Sequence, residues 1–372
     1  MTVDATKVER LRQHDWGDDP FVALRGEGDE FSIKLVDGKC FFLDADKRCR
    51  IHSELGYEEK PDGCKAFPLR MARVGGEMRA RLSFWCPTVS DDEGKPLRDQ
   101  MRWVRATAKA AGDVDRKEKL TLDDELELTL RDVEAIEAPL LTLLDDESAA
   151  HADRLAAAAA LLAELSKALE EKGKKALRAE LERLAKDGLA ALAERGRAGG
   201  RAARAGPVLS LFLGADGGRG ALSRVGRFFV VRGFNLGVSA LRSRVMGGAK
   251  ASWRQIRAVK LEQSESSAAL LTRYLTSKVR SRRYLMGEAS VIGGVNLLVA
   301  AYAVINVLAR LKAASEGRAA TSAADVREAV QAADLLVVEH TALYRGPMFT
   351  ALVETVLADP TLCASVLARL ES

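Results

Sequence analysis

The chain changes from short alternating segments to long helical ones near residue 97. From Phe21 to about Pro87, hydrophobic and polar residues alternate in short runs such as FSIKLV, KCFFL, PLRMARV and MRARLSFW. Period-two runs bounded by Gly and Pro are typical of strands and hairpins, and Gly75–Gly76 predicts the turn of one hairpin. A short charged helix is predicted before them, over residues 1–20.

After the polar linker at 90–97, hydrophobic residues recur at three- and four-residue spacing, which predicts helices. Two alanine-rich segments within 148–195, separated by the turn signal EEKGKK, predict an antiparallel helical hairpin. The run RGRAGGRAARAGP at 195–207 predicts a flexible loop, and a basic helical bundle follows. We therefore predict an α+β, predominantly α protein with a small β-rich module over 1–97 and a large helical domain over 98–372.

The longest uncharged stretch runs from Ala289 to Ala309 and is about long enough to span a bilayer. It contains Gly293, Asn296 and Asn306, and its many Ala and Val residues dilute its hydrophobicity. We interpret it as a buried central helix, and we do not expect a membrane association. The N-terminal residues are charged and lack the apolar core of a signal peptide, so we place the protein in the cytoplasm.

Basic residues are concentrated in one part of the chain. Between Arg195 and Arg283 there are 16 Arg and 3 Lys but only three acidic residues, so this segment carries +16 while the whole chain carries +4. Such a segment can attract nucleic acid, an acidic protein partner or an anionic lipid surface, and internal pairing with the acidic helices upstream is the alternative. Basic residues interleaved with aromatic ones, as in RNA-binding motifs, do not stand out, so we do not expect nucleic acid as a partner.

Four of the five cysteines lie close together in the sequence: Cys40, Cys49, Cys64 and Cys86. In a chain without an export signal, clustered thiols indicate metal or iron–sulfur ligation rather than disulfides, because cytosolic reductants keep them reduced. Cys40 and Cys49 flank an acidic turn that could fold back, and Cys64 arrives on a Gly-preceded helical turn. Four thiolates could complete a tetrahedral zinc site or hold an iron–sulfur cluster. The alternative is that cysteines are small buried hydrophobes, which is how we interpret Cys363.

Other candidate residues point less clearly to chemistry. His52 could add a nitrogen ligand three residues after Cys49, but we expect it to be exposed at a strand end. The run GADGGRG at 214–220 lacks the spacing of a dinucleotide or S-adenosylmethionine loop, and we interpret it as a mobile loop. The carboxylates of Asp123–Asp124 are interpreted as helix caps or solvent-facing groups, and Arg282–Arg283 as a helix anchor rather than a partner-binding surface.

The run CFFLDADKRCRIH, followed by GCKAFP, resembles the CxxCxxCC or YkgJ-like family of cysteine-cluster proteins, a zinc- or iron-chelating domain. Members pair a CxFL…D…C.I element with a later C..FP element, and they include flagellin lysine-N-methylases, in which the module precedes a largely helical region. The resemblance is most specific over 40–68. It implies that Cys40, Cys49 and Cys64 are metal ligands and that Cys86 corresponds to a less regular later cysteine.

The resemblance implies a metal-binding protein that carries zinc or an iron–sulfur cluster. Two alternatives stay open: a protein lysine N-methyltransferase, which would bind S-adenosylmethionine, and a helical interaction protein with a degenerate metal site. The family's CxxCxxCC element would precede the segment VDATKVERLRQHDW, and the sequence begins after that point. Two explanations are open: translation starts further upstream, which we expect, or this chain has lost that half of the family's ligands.

Overall fold

The computed structural model describes residues 2–23, 30–36, 39–46, 48–110, 115–123, 125–201, 205–214, 226, 229–234, 236, 239–261, 264–287, 289–338, 355–359 and 361–371. Two compact units are present: Met1–Arg70 with Pro96–Asp113, and Met71–Lys95 with Val114–Ser372. Short strands predominate in the N-terminal part and long helices follow, so the predicted α+β, predominantly α fold is confirmed.

The first unit contains short strands and helices around one small apolar cluster. Its elements are β1 (Thr2–Asp4), α1 (Ala5–Arg12), β2 (Phe21–Ala23), β3 (Glu30–Ile33), β4 (Leu35–Val36), β5 (Lys39–Cys40), α2 (Asp62–Ala66) and α4 (Met101–Ala110). Strands β1, β3 and β2 form an antiparallel sheet in that order, and β4 pairs with β5. Val8 and Leu11 of α1 pack with Trp16 and Phe42 to form the cluster. The helix predicted over residues 1–20 is therefore shorter, because a paired strand precedes it.

The strands of the second unit are β6 (Leu69–Val74), β7 (Glu77–Leu82), β8 (Asp115–Lys117), β9 (Leu120–Thr121), β10 (Glu127–Leu128), β11 (Ala240–Arg242) and β12 (Lys250–Ser252); β6 begins two residues before the unit does. The predicted hairpin turn at Gly75–Gly76 is confirmed, with φ values of 56° and 83° that favour glycine. Val74 of β6 and Phe84 lie in the core formed with the helices. Residues 71–95, which the sequence placed with the N-terminal module, therefore cluster with the helical unit.

The helices of the second unit surround one large core. They are α3 (Pro87–Ser90), α5 (Leu130–Asp145), α6 (His151–Lys172), α7 (Leu177–Ala185), α8 (Gly188–Arg197), α9 (Ala205–Gly214), α10 (Trp253–Ala258), α11 (Glu265–Arg280), α12 (Val291–Ser315), α13 (Ala323–Ala333) and α14 (Leu362–Glu371). The second arm of the predicted helical hairpin is divided into α7 and α8 before Gly188, which has φ 74°. Helix α8 packs closely on α6, since a Cβ on Gly196 would lie 2.0 Å from the Ala156 carbonyl oxygen.

Helix α12 is the apolar stretch that the sequence singles out. Its mean hydropathy of 2.1 and its length would allow it to cross a membrane, but 94% of its most apolar window is buried inside the protein. The Asn296 side-chain amide donates to the Leu357 carbonyl oxygen at 2.7 Å, and that of Asn306 donates to the Tyr302 carbonyl oxygen at 2.9 Å. The two asparagine side chains of the helix are thus hydrogen-bonded within the protein, as is typical of a core helix.

Candidate functional site

The acidic turn between Cys40 and Cys49 reverses the chain, as the sequence predicts. Cys40 ends β5, and the backbone of Leu43 forms an antiparallel bridge with that of Cys49. Asp44 closes the turn: its Oδ1 accepts from the Arg48 backbone N–H at 2.8 Å, and its own N–H donates to the Arg48 carbonyl oxygen at 2.9 Å. The reversal returns Cys49 to the residues that follow Cys40.

Cys64 lies in α2, the short helical turn predicted for this segment. The Cys64 N–H donates to the Pro61 carbonyl oxygen at 2.8 Å, and the Lys65 N–H donates to the same oxygen at 3.0 Å. The Lys65 ammonium also pairs with Glu58 at 3.2 Å. These contacts fix the turn that directs Cys64 onto the apolar cluster of the first unit.

Three thiols share this apolar environment, and we call Cys40, Cys49 and Cys64 the thiol cluster. All three are half-buried and pack against the apolar cluster of the first unit. Burial raises the pKa of Cys40, and nearby Cys49 raises it further. Burial raises the pKa of Cys64 to about 11, with Cys40 and Cys49 adding to the effect. Cys40 and Cys64 therefore keep their protons at neutral pH, and a metal ion would have to displace those protons in order to bind.

The thiol cluster has the ligand chemistry for a soft metal but not a preformed ligand geometry. Thiolates are the ligands that structural zinc sites and iron–sulfur clusters use most. Among the residues that the structure describes, no three or more Cys, His, Asp or Glu side chains lie close enough together to hold one metal ion. A metal would therefore require the thiol side chains to move toward a common point.

Cys86, Cys363 and His52 do not belong to the thiol cluster. Cys86 belongs to the second unit, where it precedes the first turn of α3, so its role as a fourth ligand stays a prediction. Cys363 is 1% exposed, as predicted for a buried hydrophobe, and burial raises its pKa to about 12. His52 is exposed as predicted, but it lies on a π-helical turn rather than at a strand end, with its ring 5.7 Å from that of Tyr57.

A buried ion pair in the second unit was not predicted from the sequence. Lys278 and Asp334 are both fully buried, and the Lys278 ammonium bonds to Asp334 Oδ1. The other carboxylate oxygen accepts from Ser83 Oγ at 2.9 Å and from the Trp85 backbone N–H at 3.2 Å. The Lys278 ammonium also lies 5.4 Å from the centre of the Phe84 ring. The pair thus joins the segment after β7 to two helical segments; the sequence offered no signal for it, because the partners are far apart in the chain.

Arg282 anchors a second buried polar network, which agrees with the interpretation of Arg282–Arg283 as a helix anchor. It is 1% exposed and has a left-handed φ of 56°. Its guanidinium donates to Glu137 at 3.2 Å, to Glu134 at 3.1 Å and to Glu77 at 3.2 Å. Tyr284 also donates to Glu137, at 3.2 Å. Burial raises the pKa of Glu137 even though Arg282 opposes the shift.

His151 forms a third buried contact, with Thr272 of α11. The Thr272 hydroxyl accepts from Arg154 Nη1 at 2.9 Å and lies 3.0 Å from His151 Nε2. Because the hydroxyl accepts from Arg154, its own proton is available for His151, which requires Nε2 to be unprotonated. Burial, followed by the charge of Arg154, lowers the pKa of His151 to about 4. His151 is therefore neutral at physiological pH.

The predicted carboxylate pair and glycine-rich run add little to a site. Asp123 accepts from the backbone N–H groups of Glu125 and Leu126 at 3.0 and 2.8 Å and from Ser166 Oγ at 2.6 Å, so it caps the turn between β9 and β10 rather than a helix. It borders a cavity of about 600 Å³ beside α6 and the start of α12. Asp124, residues 215–220 of the glycine-rich run, and His340 lie outside the described residues.

Part of the basic segment pairs internally. Arg195 pairs with Glu164 at 2.5 Å and with Asp187 at 2.6 Å. Arg197 pairs with Asp153 at 2.8 Å. These partners lie on or beside the acidic helices upstream, which is the alternative that the sequence left open. The remaining positive charge of the segment is concentrated further along the chain.

No protein-family model, curated protein or solved structure matches this chain. The resemblance to the cysteine-cluster family therefore depends on the runs over 40–68 alone.

Proposed function

We propose that the first unit binds a soft metal, zinc or iron, or an iron–sulfur cluster, through Cys40, Cys49 and Cys64. The observation that carries this proposal is that three cysteines spread over residues 40–64 meet on one apolar cluster, closely enough that Cys40 and Cys49 raise the pKa of Cys64. Cys86 is proposed as the fourth thiol, and the cytoplasm as the compartment that keeps all four reduced.

Metal binding at this cluster is expected to be coupled to proton release and to rearrangement. Each bound thiol gives up its proton, and the raised pKa of Cys64 makes this step more costly than for an exposed cysteine. The thiols must also move toward a common point, because the described residues contain no preformed group of three metal-ligating side chains. We therefore expect the affinity to increase steeply with pH.

The test is a titration of the full chain with Co²⁺ and Cd²⁺ after anaerobic purification. Stoichiometric thiolate-to-metal charge-transfer absorption is expected for the parent chain and for Cys363→Ala, which removes a thiol outside the cluster. It should be lost in Cys40→Ser, Cys49→Ser and Cys64→Ser. Absorption that survives all three substitutions, or that the parent chain lacks, would contradict the proposal.

A helical interaction protein with a degenerate metal site is the second candidate. It is favoured by the lack of a preformed group of three metal-ligating side chains among the described residues. Under this alternative, no metal binds in the titration and the triple Cys→Ser variant folds as the parent does. The lysine methyltransferase alternative predicts heat on mixing with S-adenosylmethionine, which calorimetry would measure.

A further inference from the structure

The distal part of the basic segment has no acidic residues of its own. Between Asp216 and Glu262 the sequence contains no Asp or Glu. Lys250, Arg254, Arg257 and Lys260 are exposed, and none of these four side chains forms an ion pair with another residue that the structure describes. We call these four residues the basic patch. Its charge is thus left uncompensated, unlike that of Arg195 and Arg197, which have acidic partners on α6 and α8 or beside them.

The basic patch lies around Trp253 and continues onto α14. Lys250 begins β12, and Arg254 and Arg257 lie three residues apart on α10, which begins at Trp253. The Arg369 guanidinium lies 4.1 Å above the Trp253 ring. Burial, together with the charge of Arg257, lowers the pKa of Arg369, which shows that the two guanidiniums are near each other. A fifth positive charge therefore adjoins the patch.

Exposed apolar side chains lie in the segment that packs against the same tryptophan through Phe234. Residues 229–234 are helical, and Phe234 packs edge-on against Trp253 with ring centres 5.5 Å apart. In this segment Phe229 is 66% exposed, Val230 is 42% exposed, and Leu236 just after it is 66% exposed. Phe229 and Leu236 are the most exposed large hydrophobic residues that the structure describes. Single exposed apolar residues are ordinary on a protein surface, but three in one short segment indicate a contact surface.

We propose that this surface docks on an anionic lipid membrane. Phe229, Val230 and Leu236 would enter the headgroup region, while the basic patch would neutralise lipid phosphate and carboxylate groups. An acidic protein would complement the charges equally well, but it would need a preformed apolar recess for the protruding side chains. A bilayer accepts such side chains without one. The contact is interfacial, so it needs no spanning helix and leaves α12 in the core. It departs from the sequence-based expectation of no membrane association, which considered only a membrane-spanning segment.

The test is sedimentation of the full chain with vesicles of phosphatidylcholine alone and of phosphatidylcholine and phosphatidylserine in equal parts. We expect binding only to the vesicles with phosphatidylserine, weakened by added salt. Arg254→Gln with Arg257→Gln should reduce the affinity roughly thirtyfold. Phe229→Ser with Leu236→Ser should reduce it at least about tenfold. All four positions are exposed, so the variants should fold, and circular dichroism checks this.

The matched control is Arg102→Gln with Arg105→Gln, an exposed pair with the same three-residue spacing on α4 of the first unit. This control should bind as the parent chain does. Equal binding to both kinds of vesicle, or no binding to either, would overturn the proposal. If the Phe229 and Leu236 substitutions left the binding to phosphatidylserine vesicles unchanged, the contact would depend on charge alone, which would overturn the proposed entry of these side chains into the headgroup region.

Discussion

Two sets of polar side chains lie against apolar cores, one in each unit, and they differ in how completely their polar groups are satisfied. In the second unit, Lys278 and Asp334 are fully buried, and the aspartate also accepts from Ser83 and from the Trp85 backbone. In the first unit, the three thiols are half-buried, and two of them have raised pKa values.

The difference indicates what each set is for. A buried ion pair whose remaining oxygen is hydrogen-bonded is complete within the protein and acts as a structural joint. Thiols that gather on an apolar surface and make one another harder to ionise gain little from being together. A metal ion would reverse this unfavourable effect. It binds thiolates, the deprotonated form of the cysteines, and so makes it favourable for them to be close together. We therefore call the Lys278–Asp334 pair the closed set. We call the thiol cluster the open set, because it is open to a ligand.

The largest expected effect is from breaking the closed set. Asp334→Leu removes the carboxylate and leaves the Lys278 ammonium buried, so we expect the free energy of unfolding of the helical unit to fall by about 3 to 5 kcal/mol. Urea denaturation followed by circular dichroism measures it. The double variant Lys278→Met with Asp334→Leu should recover most of the loss. A single variant as stable as the parent would show that the pair is not a structural joint.

The next effect depends on pH and also belongs to the helical unit. His151 has a pKa of about 4 in the folded protein, below its value of about 6.5 in an unfolded chain. The unfolded state therefore binds the proton first, so stability is retained above pH 6.5 and decreases as the pH falls toward 4, by about 3 kcal/mol from this residue. Thermal unfolding across this range measures it.

His151→Gln should flatten that part of the pH profile. His52→Gln serves as the control, because His52 is exposed and lies in the other unit. A pH profile of stability that is unchanged in the His151 variant would contradict the assignment of this pH dependence to His151.

Adding a metal should change the open set and leave the closed one unaffected. If zinc binds the folded thiol cluster, a free concentration about one hundred times the dissociation constant should stabilise the first unit by about 2.7 kcal/mol. Hydrogen exchange of amides around Cys40 and Cys64, with and without zinc, measures this unit separately. Amides near Lys278 should exchange at the same rate in both conditions. Equal protection of the first unit with and without zinc would be evidence against a metal site.

The smallest expected effect tests a local feature of the helical unit. Ser322 caps α13: its Oγ accepts from the Asp325 backbone N–H at 3.3 Å, and the Asp325 carboxylate accepts from the Ser322 N–H at 2.7 Å. Ser322→Ala should destabilise the helical unit by about 1 kcal/mol. Ser322→Asp can still cap α13, so it should lose much less stability. Equal losses for both variants would show that the cap is not the source of the effect.

Local features could be predicted because they depend on neighbouring residues. The turn at Gly75–Gly76 and the reversal between Cys40 and Cys49 are each fixed by residues a few positions apart. The buried position of α12 followed from its composition, since its Asn and Gly residues suit a protein core better than a lipid environment.

Long-range features could not be predicted in the same way. The strand of residues 69–74 looks alike in either unit, and only its pairing with β8 and the packing of Val74 in the large core decide where it goes. Phe229 and Leu236 are hydrophobic residues in the sequence, yet they are exposed. The contact of Gly196 in α8 with the Ala156 carbonyl of α6 is likewise decided by packing between helices.

The sequence by itself determined the predominantly helical class, the central apolar helix and the identity of the cysteines that gather in the first unit. Periodicity, turn residues and thiol chemistry depend on residues that are close together in the sequence, so they can be predicted from it. Only the tertiary structure decided which charges are buried in pairs and which remain on the surface. Lys278 and Arg254 belong to the same basic segment, but one meets Asp334 inside the core while the other is exposed, because burial depends on what the fold brings opposite each side chain.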